Sequence, residues 1–187
     1  MALTTLDPNT ALIVVDLQKG ILGFPLIHPV DRIVDRTRAL LVAFRDRGLP
    51  VVLVNVADVA PGRTERPRHN GPLPDGWADF IPELDQQSGD IVVTKRTWGA
   101  FASTDLESRL KALGVTQVVI TGVATGTGVE STARQAYEHG FHVTLALDAM
   151  TDASSEAHEY SIKHVFPKLG ETGTAQDVID LLATTSA

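Results

Sequence analysis

Three features of this 187-residue chain carry groups that could do chemistry: Asp16 at the end of ALIVVD, Lys95 after the apolar run IVV, and the glycine-rich stretch GVATGTG at 122 to 128. A carboxyl and an ammonium group brought to one place can move a proton and stabilise developing charge. A glycine-rich turn that opens a helix presents backbone N–H groups to a ligand. Each feature also has a plainer reading. An acid that ends a strand commonly caps a local turn, and a lysine beside Arg96 is usually solvated. Glycines at a helix start mark dinucleotide binding only after the first strand, where this chain has DLQKG instead. The chain contains no cysteine, which excludes a thiolate nucleophile, thiolate metal sites and disulfides. Its histidines, at 28, 69, 139, 142, 158 and 164, show no ligand spacing joined to a carboxylate, so no metal and no cofactor are expected.

The elements that must position these groups alternate between short Val- and Ile-rich runs and longer segments with helical spacing. Strands are expected at 11–16, 51–56, 90–93, 117–121, 142–147 and 171–173. Between 30 and 47, Ile33, Val34, Thr37, Leu40, Leu41 and Phe44 share one helical face, with Pro29 before it and Gly48 after it. Further helices are expected from a Thr104/Glu107 capping box to Gly114, at 129–139, at 154–165, and at 175–182 behind Thr174 as cap. This βαβ alternation predicts an α/β fold: a three-layer, Rossmann-like open parallel sheet of five to six strands with helices on both faces, spanning 1–187 as a single domain. In such sheets ligands bind beyond the carboxyl ends of the strands, where the strand order reverses, most often between strands one and four. Asp16 and the 122–128 loop end those two strands, and Lys95 lies just past the third. All three should reach one rim.

Between the second and third strands the pattern fails over roughly thirty residues, 57–89, a length that usually marks a functional cover. Arg63, Arg66, Arg68 and His69 form a basic cluster there. Solvated charge is the ordinary fate of such a run, but Arg63 and Arg66 are candidates to meet a substrate carboxylate, whose shape the guanidinium fork matches. Trp77, Trp98 and Phe101 read as packing residues, with Trp98 close enough to Lys95 to wall a pocket. The formal charge of −7 disfavours nucleic acid as a partner. No apolar run approaches the ~20 residues of a membrane span, and MALTTLDPNT lacks the basic start and apolar core of a secretory signal. A cytoplasmic location is expected.

Taken in order and spacing, VVDLQ around Asp16, VVTKRTWGAFASTDLESRL around Lys95, and the loop with Gly122, Val123, Thr125, Val129, Thr132, Ala133 and Arg134 resemble the isochorismatase-like, or cysteine hydrolase, superfamily from about residue 11 to 150. The superfamily's usual cysteine falls at Gly128. The resemblance implies that Asp16 and Lys95 are catalytic beside Gly128, the nucleophile position. It implies that Gln18, the polar residue two positions after the aspartate, takes part in binding the substrate. It also implies that the loop bearing Val123, Ala124, Thr125 and Thr127, with a cis peptide between Val123 and Ala124, cradles the substrate. A small-molecule substrate, with a carboxylate among its candidate groups, and a homo-oligomer using 98–101 as a contact are further implications.

Cysteine members attack an amide carbonyl with a thiolate, a route closed here. The branch that splits a vinyl ether, the isochorismatases, resembles this chain in having glycine at that place and keeping the acid and the lysine, which implies acid catalysis. Asp16 would then need its pKa raised well above ~4, which burial favours and Lys95 opposes. Two alternatives stay open: an amidase using Thr125 or Thr127 as nucleophile, and an inactive pseudoenzyme serving in metabolite binding or assembly.

Overall fold

The computed structural model describes residues 3–65 and 71–185. Six strands, β1 (Thr10–Val15), β2 (Val51–Val56), β3 (Ile91–Lys95), β4 (Gln117–Val123), β5 (His142–Thr151) and β6 (Glu171–Gly173), form one sheet. It is parallel throughout, in the order β3-β2-β1-β4-β5-β6. The helices are α1 (Lys19–Leu22), α2 (Val30–Asp46), α3 (Leu106–Ala112), α4 (Glu130–Glu138), α5 (Ser155–Tyr160) and α6 (Ala175–Thr184).

The sequence dictates this layering through the alternation of side chains along buried strands. On β1, Ala11, Ile13 and Val15 face one core with Leu106 and Leu110 of α3 and Ala133 and Ala136 of α4. Leu12 and Val14 face the other with Leu40, Leu41 and Phe44 of α2 and Val178 and Leu182 of α6. Covered on both faces, β1 has to be apolar from Ala11 to Val15, and ALIVV is; the buried Thr10 at its start donates its hydroxyl to the Asp7 carbonyl. The chain winds outward from β1 through β2 to β3, then returns to place β4 beside β1. That reversal opens a crevice past the ends of β1 and β4.

Some boundaries differ from expectation for identifiable reasons. Strand β3 runs to Lys95 rather than stopping at 93, so Lys95 is the last residue of the strand and pairs in register with Val56. Thr104 does not open α3 through a capping box. Its hydroxyl donates to the Ala100 carbonyl and accepts from Leu106 N–H, while Glu107 pairs with Lys111. The true capping box is at Thr174, whose hydroxyl accepts from Asp177 N–H while Asp177 accepts from Thr174 N–H. The segment expected as one helix over 154–165 is α5 followed by a wide turn at Ser161–Val165 and a 3-10 turn at Phe166–Lys168.

Gly122 fixes the crevice. It pairs with Val15 across β1 and β4, at φ +119°, and a Cβ there would lie 2.0 Å from the Val15 carbonyl oxygen. Backbone cannot yield as a side chain can, and the conformation disfavours L side chains. Gly122→Ala is therefore expected to lower unfolding free energy by at least about 3 kcal/mol in urea titration. A change under about 1 kcal/mol would contradict the close approach.

Candidate active site

Asp16 follows β1 directly. Its N–H donates to Val54 O at 2.8 Å, and its backbone adopts the left-handed φ of +53°, a conformation uncommon outside glycine and most tolerated by Asp and Asn. That turn swings the carboxyl out of the strand into the crevice, where it stays only 4% exposed. Lys95 comes from the edge strand, two strand spacings away, roughly 10 Å. The four-carbon stem and the aspartate arm cover that span together. Lys95 Nζ donates to Asp16 Oδ2 at 2.7 Å and to Thr97 O at 3.3 Å, with the whole residue 1% exposed. Asp16 Oδ1 is buried and has no hydrogen-bond partner among the described residues.

Burial pushes the Asp16 pKa up, against the Lys95 charge and hydrogen bond, which pull it down; the balance stands at about 6. A carboxyl in water is ionised at neutral pH. This one keeps its proton up to about pH 6, so at neutral pH a minor but usable fraction, roughly a tenth, is protonated and available as a general acid.

The loop after β4 brings the third component. The Val123–Ala124 peptide is cis, and Thr125–Val129 forms a wide π-type turn in which Val129 N–H reaches back to Ala124 O at 3.1 Å. Such turns are rare and concentrate at functional sites. Gly128 sits inside it, where a Cβ would meet Asp16 Oδ2 and Val123 O at 3.1 Å. Glycine therefore leaves the space directly beside the carboxyl open.

Two residues that sequence reasoning missed hold this loop. Asp152 Oδ2 accepts from Gly126 N–H at 2.7 Å, and His158 Nδ1 bonds Thr125 Oγ1 at 2.8 Å. Asp152 ends β5 much as Asp16 ends β1, a signal present in AMTD but not weighed. His158 carried no signal. Its pKa is lowered by burial and by neighbouring His28, with Asp152 opposing. On the far side of the loop, Thr132 accepts from Ala100 N–H, and Gln135 from Phe101 N–H. Gly99, Ala100 and Phe101 are thereby buried within this chain, so of the 98–101 segment only Trp98 remains exposed for contact between copies.

The structure gathers Asp16, Lys95, Gly128, Val123, Ala124, Thr127 and Trp98 around one cavity of about 410 Å³. Other expected residues lie elsewhere. Gln18 is fully buried and spends its amide on the backbone, donating to Val56 O and Trp77 O and accepting from Val56 N–H. It staples β2 to the long loop. Thr125 turns to His158 and does not line the cavity, nor does Arg63, which is exposed. Arg66, Arg68 and His69 lie outside the described residues. The 57–89 loop contributes Val59, Leu73 and Trp77 to the wall. Among the described residues, no cluster of three or more His, Asp or Glu side chains could hold a metal ion, and no helix is long and apolar enough to cross a membrane.

Fold and site define an α/β protein of the hydrolase kind, with an acid–lysine pair at the switch point of a parallel sheet. The isochorismatase domain model matches residues 10–177. An uncharacterized isochorismatase family protein of Bacillus subtilis is 38% identical over 182 residues, covering 92% of this chain and 93% of that protein. Maleamate amidohydrolase of Pseudomonas putida is 31% identical, covering 92% and 86%. The structure of an isochorismatase family protein from Burkholderia thailandensis superposes with a TM-score of 0.91 at 40% identity, covering 96% of this chain and 98% of that one. The chain belongs to the isochorismatase family of the isochorismatase-like hydrolase superfamily.

Proposed function

We propose that the chain is a small-molecule hydrolase that works without a covalent intermediate, with Asp16 as general acid. The observation that carries this reading is the buried, partnerless Oδ1 of Asp16, on a carboxyl whose pKa is raised to about 6 and beside which Gly128 leaves room. The reaction that suits it is vinyl ether cleavage. Asp16 donates its proton to the terminal carbon of the double bond, water adds to the resulting oxocarbenium carbon, and the hemiketal collapses to a ketone and an alcohol. The water's surplus proton returns to the carboxylate. Lys95 steadies the aspartate while it is ionised and, by opposing burial, keeps its acidity within reach of neutral pH. Val123, Ala124, Thr127 and Gly128 form the wall facing the reacting group.

The test is to incubate purified protein in D₂O with isochorismate and with simple enol ethers. Hydrolysis should proceed with one deuterium incorporated at the protonated carbon and no mass adduct on the protein. An acyl or alkyl adduct on Thr127 would replace this mechanism with a covalent one. Saturable binding of every compound without turnover would support the pseudoenzyme reading instead.

A further inference from the structure

A second hollow, of about 280 Å³, shares no lining residue with the cavity above Asp16. Pro29, Arg32, Ile33 and Arg36, at the start of α2, form one wall, at the i, i+3, i+4, i+7 spacing that puts them on one helical face. Leu147, Asp148 and Met150 line it from the end of β5, and His28 and His158 from the loop and helix beside them. The two imidazoles meet edge to face with their centroids 5.0 Å apart. Two guanidinium groups and two imidazoles are thus set round one space. The acid in the lining, Asp148, is already engaged: Oδ1 accepts from Ala175 N–H at 2.6 Å, and Oδ2 lies 3.4 Å from Arg36 Nε.

Arg32 and Arg36 are exposed, and an exposed arginine is ordinarily just solvated. The hollow and its imidazoles set these two apart. Among the described residues neither guanidinium donates a hydrogen bond, Arg36 keeping only its longer ion-pair contact with Asp148. Two guanidinium forks one helical turn apart match an anion that carries oxygens on more than one side. His158 adds a directed donor. Its Nδ1 is taken by Thr125 Oγ1, and when Thr125 donates that bond the ring proton sits on the other nitrogen. Burial first, and His28 second, hold the His158 pKa down; an anion between the rings offsets the second cause.

We propose that this hollow binds a phosphate-class oxyanion, as inorganic phosphate or as the phosphoryl end of an ester, among Arg32, Arg36, His28 and His158, and that its occupation is felt at the active-site loop. The link is short. His158 bonds Thr125, the first residue of the wide turn that carries Gly128. Asp152, which holds Gly126 N–H in the same turn, lies close enough to act on the His158 charge. An anion that fixes His158 therefore fixes the turn beside Asp16. The site stands independently of the reaction the enzyme performs.

The test titrates inorganic phosphate and glycerol phosphate into isotope-labelled protein in about 0.1 M NaCl, where diffuse attraction is screened, and follows amide chemical shifts alongside calorimetry. Wild type should saturate with a Kd of about 1 mM or tighter, the Gly126 and Gly128 amides moving on the same isotherm as those at the start of α2. Arg32→Gln/Arg36→Gln, at two exposed positions with little to lose in folding, should weaken binding at least about tenfold. Arg109→Gln on α3 should leave it unchanged. Thr125→Val keeps the shape of the side chain and removes its hydroxyl; it should retain the affinity while Gly126 and Gly128 lose most of their response. Tighter binding of the ester assigns the hollow to a phosphoryl group on a larger molecule, and tighter binding of the free ion assigns it to inorganic phosphate. Shifts that do not saturate, or an affinity unchanged in the double arginine variant, overturn the site. Saturation with Gly126 and Gly128 silent in wild type overturns the link to the loop.

Discussion

Asp16→Asn is expected to reduce kcat/KM for enol ether hydrolysis by about 10²- to 10⁴-fold, the usual range for removing a positioned acid. The amide keeps the shape of the carboxyl and cannot deliver its proton. The pH profile separates an acid from a base. If Asp16 donates, wild-type kcat/KM is level below its pKa of about 6 and falls tenfold per pH unit above it. Were Asp16 a base, the rate would instead climb to a plateau above that pH. Because Lys95 lowers this pKa, Lys95→Met should move the bend upward. A profile without a bend near 6, or full activity in Asp16→Asn, would remove Asp16 from the chemistry. The raised pKa also has a sign for stability. Between the ordinary 3.8 and about 6, the folded state keeps a proton that the unfolded chain has released, so the contribution of Asp16 falls as pH rises, by roughly 3 kcal/mol across that window. The difference between wild type and Asp16→Asn in urea titrations at pH 4 and pH 7 isolates it.

The layout of the sheet and the rim was readable from the chain because local signals determine it. Continuous apolar runs such as ALIVV suit only a strand covered on both faces, and a reversal between the first and fourth strands puts Asp16 and the 122–128 loop together. What escaped depends on partners distant in sequence. Gln18 looks like a pocket residue beside Asp16, but the long loop brings Trp77 and Val56 backbone to its amide. Thr125 looks like part of the cradle until His158, thirty-three positions on, claims its hydroxyl. The π-type turn at Thr125–Val129 widens an otherwise ordinary helix start, and no residue preference announces it. Thr104 and Glu107 have capping-box spacing, yet the Ala100 carbonyl and Lys111 bind them first. For Gln18 and Thr125 a partner distant in sequence decided where the side chain goes, and for Thr104 and Glu107 a competing bond four residues away outweighed a capping preference worth about 1 kcal/mol.

Breaking the Asp16–Lys95 pair one partner at a time should cost unequal amounts, and replacing both should cost little. Asp16→Asn leaves a buried ammonium, 1% exposed, stripped of its counter-charge and left with neutral acceptors, the new amide oxygen and the Thr97 carbonyl. Truncating one side of such a pair typically costs about 3–5 kcal/mol. Lys95→Met leaves a carboxyl that can escape its own desolvation by keeping its proton, so its penalty should be smaller and should shrink further at pH 5, where that proton is freely available. In the double variant Asp16→Asn/Lys95→Met no charge is buried, and its stability should return to within about 1–2 kcal/mol of wild type, since buried pairs repay their desolvation poorly. The double-mutant cycle therefore predicts a large favourable coupling. If the two single losses simply add, the ion pair at 2.7 Å does not act as a unit, and the poised acidity of Asp16 needs another cause. If they cancel as expected while hydrolysis stays abolished, the pair is retained for chemistry rather than for folding, at a position where two apolar-compatible residues would stabilise the fold equally well.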